Sequence, residues 1–171
     1  MTPLSNLILQ SILPAILILA ALRDATSFTI PNWMSLVAVA LFWPAALLAG
    51  MSGGAIGISA AVGVAALIAG MGMFALGWIG GGDAKLFAAA ALWLGWPAVL
   101  PFLVFTAFAG GGLAVALLWS RRLGQPLAAA GPAWFGRLLT PGENVPYGLA
   151  IAAGGLIAFP TSALMSALAG V

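Results

Sequence analysis

Charge is what this 171-residue chain has least of: five basic and three acidic residues, 5% of the sequence, against 64% hydrophobic residues. So few charges cannot coat a soluble globule of this size, and the composition is that of a polytopic membrane protein. Cysteine is absent, which excludes disulfides, a thiol nucleophile and a thiolate metal site. Histidine is absent too, removing the commonest metal ligand and the usual general base, so neither a metal nor another cofactor is expected. The net charge of +2 arises from too few groups to suggest a nucleic-acid partner.

What the chain does have is long apolar stretches, each needing roughly 20 residues to cross a bilayer. Six are expected: Leu4 to Leu22, Trp33 to Gly50, Ile58 to Ile79, Ala84 to Trp96, Ala98 to Trp119 and Pro146 to Leu168. The expectation is therefore an all-α bundle of about six transmembrane helices forming a single domain, 1–171, with no separate soluble domain. The first stretch is followed, not preceded, by a basic residue, Arg23, and reads as a retained helix instead of a signal peptide. Pro31 is placed to start the second helix, and Asn32 to satisfy free backbone groups there. The interval Ser120 to Asn144 is the one long loop expected.

The fourth stretch is short. Thirteen residues at ~1.5 Å each reach only about 20 Å, against a bilayer core near 30 Å, so a re-entrant hairpin is an alternative. Charge parity favours a crossing. Six spans with both termini outside put Arg23, Lys85, Arg121, Arg122 and Arg137 on the cytoplasmic side, as the positive-inside rule prefers. Asp24, Asp83 and Glu143 fall on the same side. Trp33, Trp78 and Trp119 then mark the inner interface, and Trp93 and Trp96 the outer one.

Asp24 and Asp83 each lie where an apolar stretch ends, and an acid at such a position is expensive unless paired, hydrated or used. Between them lie two complete crossings, which return the chain to the face it left, so the two carboxylates can meet. Such a pair in a poorly solvated site does not readily ionise twice; one keeps a proton while the other acts as a base, as in aspartic proteases. The glycines before Asp83 remove side-chain bulk, so a peptide could approach the backbone. Each residue also has a plainer reading: Asp24 as a helix cap, Asp83 as the N-cap of the fourth helix, Gly80 and Gly82 as packing residues, Lys85 as an interfacial anchor. Pro31 and Asn32 read as architectural, Glu143 as a solvated loop residue and Tyr147 as an interfacial anchor within reach of the pair.

Gly80-Gly81-Gly82-Asp83-Ala84-Lys85 resembles the Gly-x-Gly-Asp-x-Lys motif of type IV prepilin peptidases. Asp24 followed by Ile30-Pro31-Asn32-Trp33 resembles that family's first aspartate region, and Val145-Pro146-Tyr147-Gly148 a segment near the start of its last helix. The resemblance implies catalytic residues Asp24 and Asp83, supported by Gly80, Gly82, Lys85, Pro31 and Asn32. It implies an aspartic endopeptidase of the bacterial cytoplasmic membrane, cutting prepilin or pseudopilin precursors after a glycine at the cytoplasmic border. Substrate helix and enzyme both have the lipid bilayer as partner. Larger relatives carry a cytoplasmic domain linked to N-methylation; only Arg23 to Asn32 separates the first two helices here, so the short peptidase-only form of tight-adherence (Flp-type) pili is expected. Two rivals remain: a small proton- or ion-coupled transporter, and a non-enzymatic membrane subunit of a pilus or secretion assembly.

Overall fold

A computed structural model describes residues 2–123 and 132–170. Helix α1 (Pro3–Ser27) starts where Thr2 caps the Ser5 N–H at 3.3 Å and Pro3 occupies the first turn, a position that wastes no donor. Helix α2 (Asn32–Leu48) follows Pro31, and Gly50, at φ +77°, turns the chain into α3 (Gly53–Ala75), which Ser52 caps. Helix α4 (Gly81–Leu94) and α5 (Val99–Leu123) come next. A short α6 (Ala133–Leu138) precedes α7 (Tyr147–Ala158), a 3-10 turn at Phe159–Thr161 and α8 (Ala163–Ala169).

This is an all-helical polytopic membrane protein. Pro3–Ser27, Gly53–Ala75, Val99–Arg122 and Tyr147–Ala169 are long and apolar enough to cross a bilayer. Large apolar side chains such as Leu36, Ile68 and Phe108 stand on the outside, where a soluble protein would carry charge. The interior belongs to α4 and α7, most of whose residues are buried. Helix α4 packs against α3, α2 and α7, and α7 against α5 and α1. Small residues allow this closeness: a Cβ on Gly63 would come within 2.9 Å of the Leu92 Cβ, and one on Gly155 within 2.7 Å of Leu17 Cδ1. With no hydrophobic force between helices in lipid, such close packing is what holds a membrane bundle together.

Four expectations change. Helix α1 runs on to Ser27, so Asp24 lies in its last full turn and not in a connecting loop. The last stretch keeps its span, Tyr147–Ala169, but carries an internal 3-10 turn: Pro160, lacking an N–H, falls in the turn between α7 and α8. The interval Ser120 to Asn144 is not all loop, because α5 continues to Leu123 and α6 folds from Ala133; 124–131 lie outside the described residues. Trp93 is fully buried, not interfacial: its indole N–H donates to the Ala38 carbonyl at 2.8 Å and its ring meets Phe42 edge to face. A tryptophan that finds a partner for its N–H inside a bundle has no need of the headgroup region. Trp33, Trp78, Trp119 and Trp96 are exposed. Helix α4, 14 residues long, reaches about 21 Å at ~1.5 Å per residue.

Candidate active site

The chain brings its two singled-out carboxylates together. Asp24 from the end of α1 and Asp83 from the first turn of α4 line one cavity of about 230 Å³, together with the Gly77-Trp78-Ile79-Gly80 turn, Phe28, Asn144, Val145 and Tyr147. Asp24 is 4% exposed, and its Oδ2 accepts the Gly148 N–H at 2.7 Å. That donor comes from the first turn of α7, where backbone N–H groups have no partner within the helix and are free for an anion.

Asp83 stands three residues inside α4, not at its N-cap. Its Oδ2 accepts the Gly80 N–H at 3.2 Å, the return half of a capping box, while Oδ1 is buried with no hydrogen-bond partner among the described residues. One oxygen thus fixes the rotamer. The capping role is met by one oxygen of this side chain, from the third position of the helix.

The two motifs touch each other. A Cβ on Gly82 would come within 3.0 Å of the Ile30 carbonyl oxygen, and Lys85 Nζ donates to Asn32 Oδ1 at 2.9 Å. Asn32 therefore spends its side chain on α4 instead of capping its own helix, and Pro31 is the residue before the helix, not its first. The space beside Gly80 is taken by the Asp83 carboxylate, 2.8 Å from where a Cβ would stand. Gly82 thus serves close packing against Ile30, while Gly80, exposed, sits beside the Asp83 carboxylate and lines the cavity. Lys85 lies on the other side of the helix from the cavity, as residues two apart on a helix must.

Sequence reasoning missed several groups at the site. Phe28 ends α1 at φ +54°, ψ +26°, a left-handed conformation uncommon for an aromatic side chain, and lines the cavity. Strain of that kind persists only where its surroundings enforce it; the Phe28 N–H bonds to the Asp24 carbonyl at 2.8 Å, and the Arg137 guanidinium lies 6.0 Å over the ring. Arg121 does more than orient the chain. Its Nε donates to the Leu138 carbonyl at 2.9 Å and Nη2 to the Asn144 carbonyl at 3.1 Å, tying α5 to the segment that forms the cavity wall. The signal for Gly148 was visible in Pro146-Tyr147-Gly148, but not its partner. Glu143 is half-buried and outside the cavity, whereas Tyr147 forms part of its wall.

Among the described residues, no cluster of three or more acidic, histidine or cysteine side chains is placed to hold a metal ion. Two carboxylates facing one small space can exchange protons with a water molecule and a bound carbonyl; neither partner requires a cation.

Comparison with known families gives one finding. The family model described as the type IV leader peptidase family matches residues 11–115, a stretch that contains Asp24, Asp83 and the residues between them. The chain belongs to the type IV leader peptidase family and is a membrane-embedded peptidase. Neither curated proteins nor solved structures give a match. Tyr147, which lines the cavity, and Gly148, which donates to Asp24, lie beyond the matched stretch.

Proposed function

We propose that this leader peptidase is an aspartic endopeptidase in which Asp24 and Asp83 form the catalytic dyad, acting on the leader of type IV pilin-like precursors. The observation that carries the reading is the shared cavity: two carboxylates from helices far apart in sequence, each fixed by a backbone N–H through one oxygen, face one space. One carboxylate takes a proton from water as the oxygen attacks the scissile carbonyl; the other, protonated, donates to the carbonyl oxygen. The tetrahedral species collapses with the C–N bond breaking and a proton passing to the leaving amine. No covalent enzyme intermediate forms.

Cleavage follows a glycine that ends a short leader, at the cytoplasmic border of the inner membrane, with the apolar segment of the substrate remaining in the bilayer. Location supports this: Asp24 ends one helix and Asp83 begins another at the end of the bundle where Lys85, Arg121 and Arg137 also gather. A one-sided basic end is the one that stays in the cytoplasm. The short form serving Flp-type pili is the reading that fits so brief an α1–α2 connection.

The test is cleavage of a co-expressed prepilin with a Gly-ending leader, comparing the parent with Asp24→Asn and Asp83→Asn at matched membrane levels. The expected result is a shortened product with the parent and intact precursor with both variants. Persistent cleavage by either variant rejects the dyad. Failure of the parent on several classes of pilin rejects the substrate.

A further inference from the structure

On the face of α4 away from the carboxylates lies a second, larger space that the peptidase reading leaves unused. It is a groove of about 590 Å³ open to the side of the bundle, walled by α2 and α3 and floored by Ala88, Ala89 and Leu92 of α4. Its lining is almost wholly apolar, with one charged residue, Lys85, at one end beside Asn32 and Ser35. Ser35 is 6% exposed, and its hydroxyl oxygen is buried with no hydrogen-bond partner among the described residues. A hydroxyl so placed costs free energy unless something supplies its bond.

We infer that this groove holds one anionic phospholipid from the leaflet on the carboxylate side, its phosphate at Lys85 and one acyl chain along α4. Charge is the first argument. The bond to Asn32 uses one of the three N–H donors of the Lys85 ammonium and leaves two for phosphate oxygens, and no acid lines the groove to compete. Depth is the second. Ser35 lies one turn below Asn32 on α2, about 4.5 Å deeper at ~1.5 Å per residue, where the ester oxygens of a lipid follow its phosphate.

Length is the third argument, and it separates a lipid from a protein helix. The groove runs along α2 from Asn32 to Trp43 and along α3 from Met71 to Ala60. Each stretch is about 16 Å at ~1.5 Å per residue, half of the roughly 30 Å hydrocarbon core. A transmembrane helix needs the whole thickness; an acyl chain needs one leaflet. Exposed Trp33 and Trp78 mark the polar end of the groove as the membrane border.

The experiment is native mass spectrometry of the full chain, delipidated and then reloaded from vesicles of phosphatidylglycerol or phosphatidylcholine. The parent is expected to retain one phosphatidylglycerol per chain in preference to phosphatidylcholine. Lys85→Gln should lower that retention about tenfold, Lys85→Arg should keep it, and Val39→Trp, which fills the groove without touching the charge, should also lower it. Arg122→Gln, at the exposed end of α5, should retain the lipid as the parent does. Should Lys85→Gln fail to fold, the Val39→Trp variant decides. Equal retention of the two lipids by the parent, or unchanged retention in Val39→Trp, overturns the site. A photo-crosslinker at position 39 that captures a second copy of the chain or a substrate segment in place of lipid overturns it as well.

Discussion

Asp83 and Lys85 are two residues apart, yet one faces a small polar cavity of about 230 Å³ and the other an apolar groove of about 590 Å³. The difference comes from the helix itself: a step of two residues turns about 200° at 3.6 residues per turn, so neighbours in a motif are opposed in space. The acid shares its cavity with a second carboxylate, Asp24, and accepts the Gly80 N–H. Beside α2, the base meets an asparagine and the membrane side of the bundle. A short sequence motif is thus two half-sites back to back, and its members need not share a task.

The comparison is broken most directly at the acids. Asp83→Asn should lower the rate of precursor cleavage about 10²- to 10⁴-fold, the range for loss of one acid-base partner. The same variant should leave phosphatidylglycerol retention at the parental level, since its side chain is on the other face; loss of both functions together would mean that the two faces are one site.

Gly148→Ala comes next. A Cβ there would stand 2.8 Å from Asp24 Oδ2 and 3.0 Å from Ile30 Cδ1, so either the carboxylate or the helix must shift. A displacement on the order of 1 Å costs about 10²-fold in rate. Measured turnover should fall by that order with Asp24 still present, and parental turnover would show that Gly148 does not position it.

A coupled dyad makes a third prediction. The parent should give a bell-shaped pH–rate profile whose two limbs belong to the pair and not to one residue. Rate falls on the acid side because the base becomes protonated, and on the alkaline side because the acid loses its proton. A single sigmoid would break the dyad into independent groups.

Smaller effects test the frame around the cavity. Arg121→Gln removes the guanidinium bonds to Leu138 and Asn144, and should raise KM several-fold with a lesser change in kcat, because it loosens a wall and leaves both carboxylates in place. An unchanged KM would limit Arg121 to orientation. Trp93→Phe keeps the ring against Phe42 and deletes the bond to Ala38, at about 0.5–1.5 kcal/mol of stability read by thermal unfolding in detergent. An unchanged midpoint would return Trp93 to the role of a mere filler.

Much of the site was legible because scarcity made it so. In a chain with three acids, two at the ends of apolar stretches cannot be incidental, and the parity of the crossings returns them to one face without any knowledge of packing. The Gly-rich run before Asp83 and the Ile-Pro-Asn run after Asp24 stood out for the same reason. Trp93 misled because amphipathic residues near the end of a span usually lie at the interface; only the nearby Ala38 carbonyl makes burial cheap. Asn32 misled because asparagine at a helix start usually caps its own helix, and its actual partner, Lys85, is two helices away.

By itself the sequence determined the solvent, the helical class and the identity of the two acids, since each follows from which residues are present and how far apart they are along one chain. Tertiary structure alone decided that Gly148 holds Asp24, that Asp83 shares its cavity, that Phe28 is held left-handed beside them and that Lys85 faces a groove. Those outcomes depend on which helices lie against α4 and α7. Close packing of alanines and glycines, whose pattern carries little directional information in a chain apolar on every side, sets that choice.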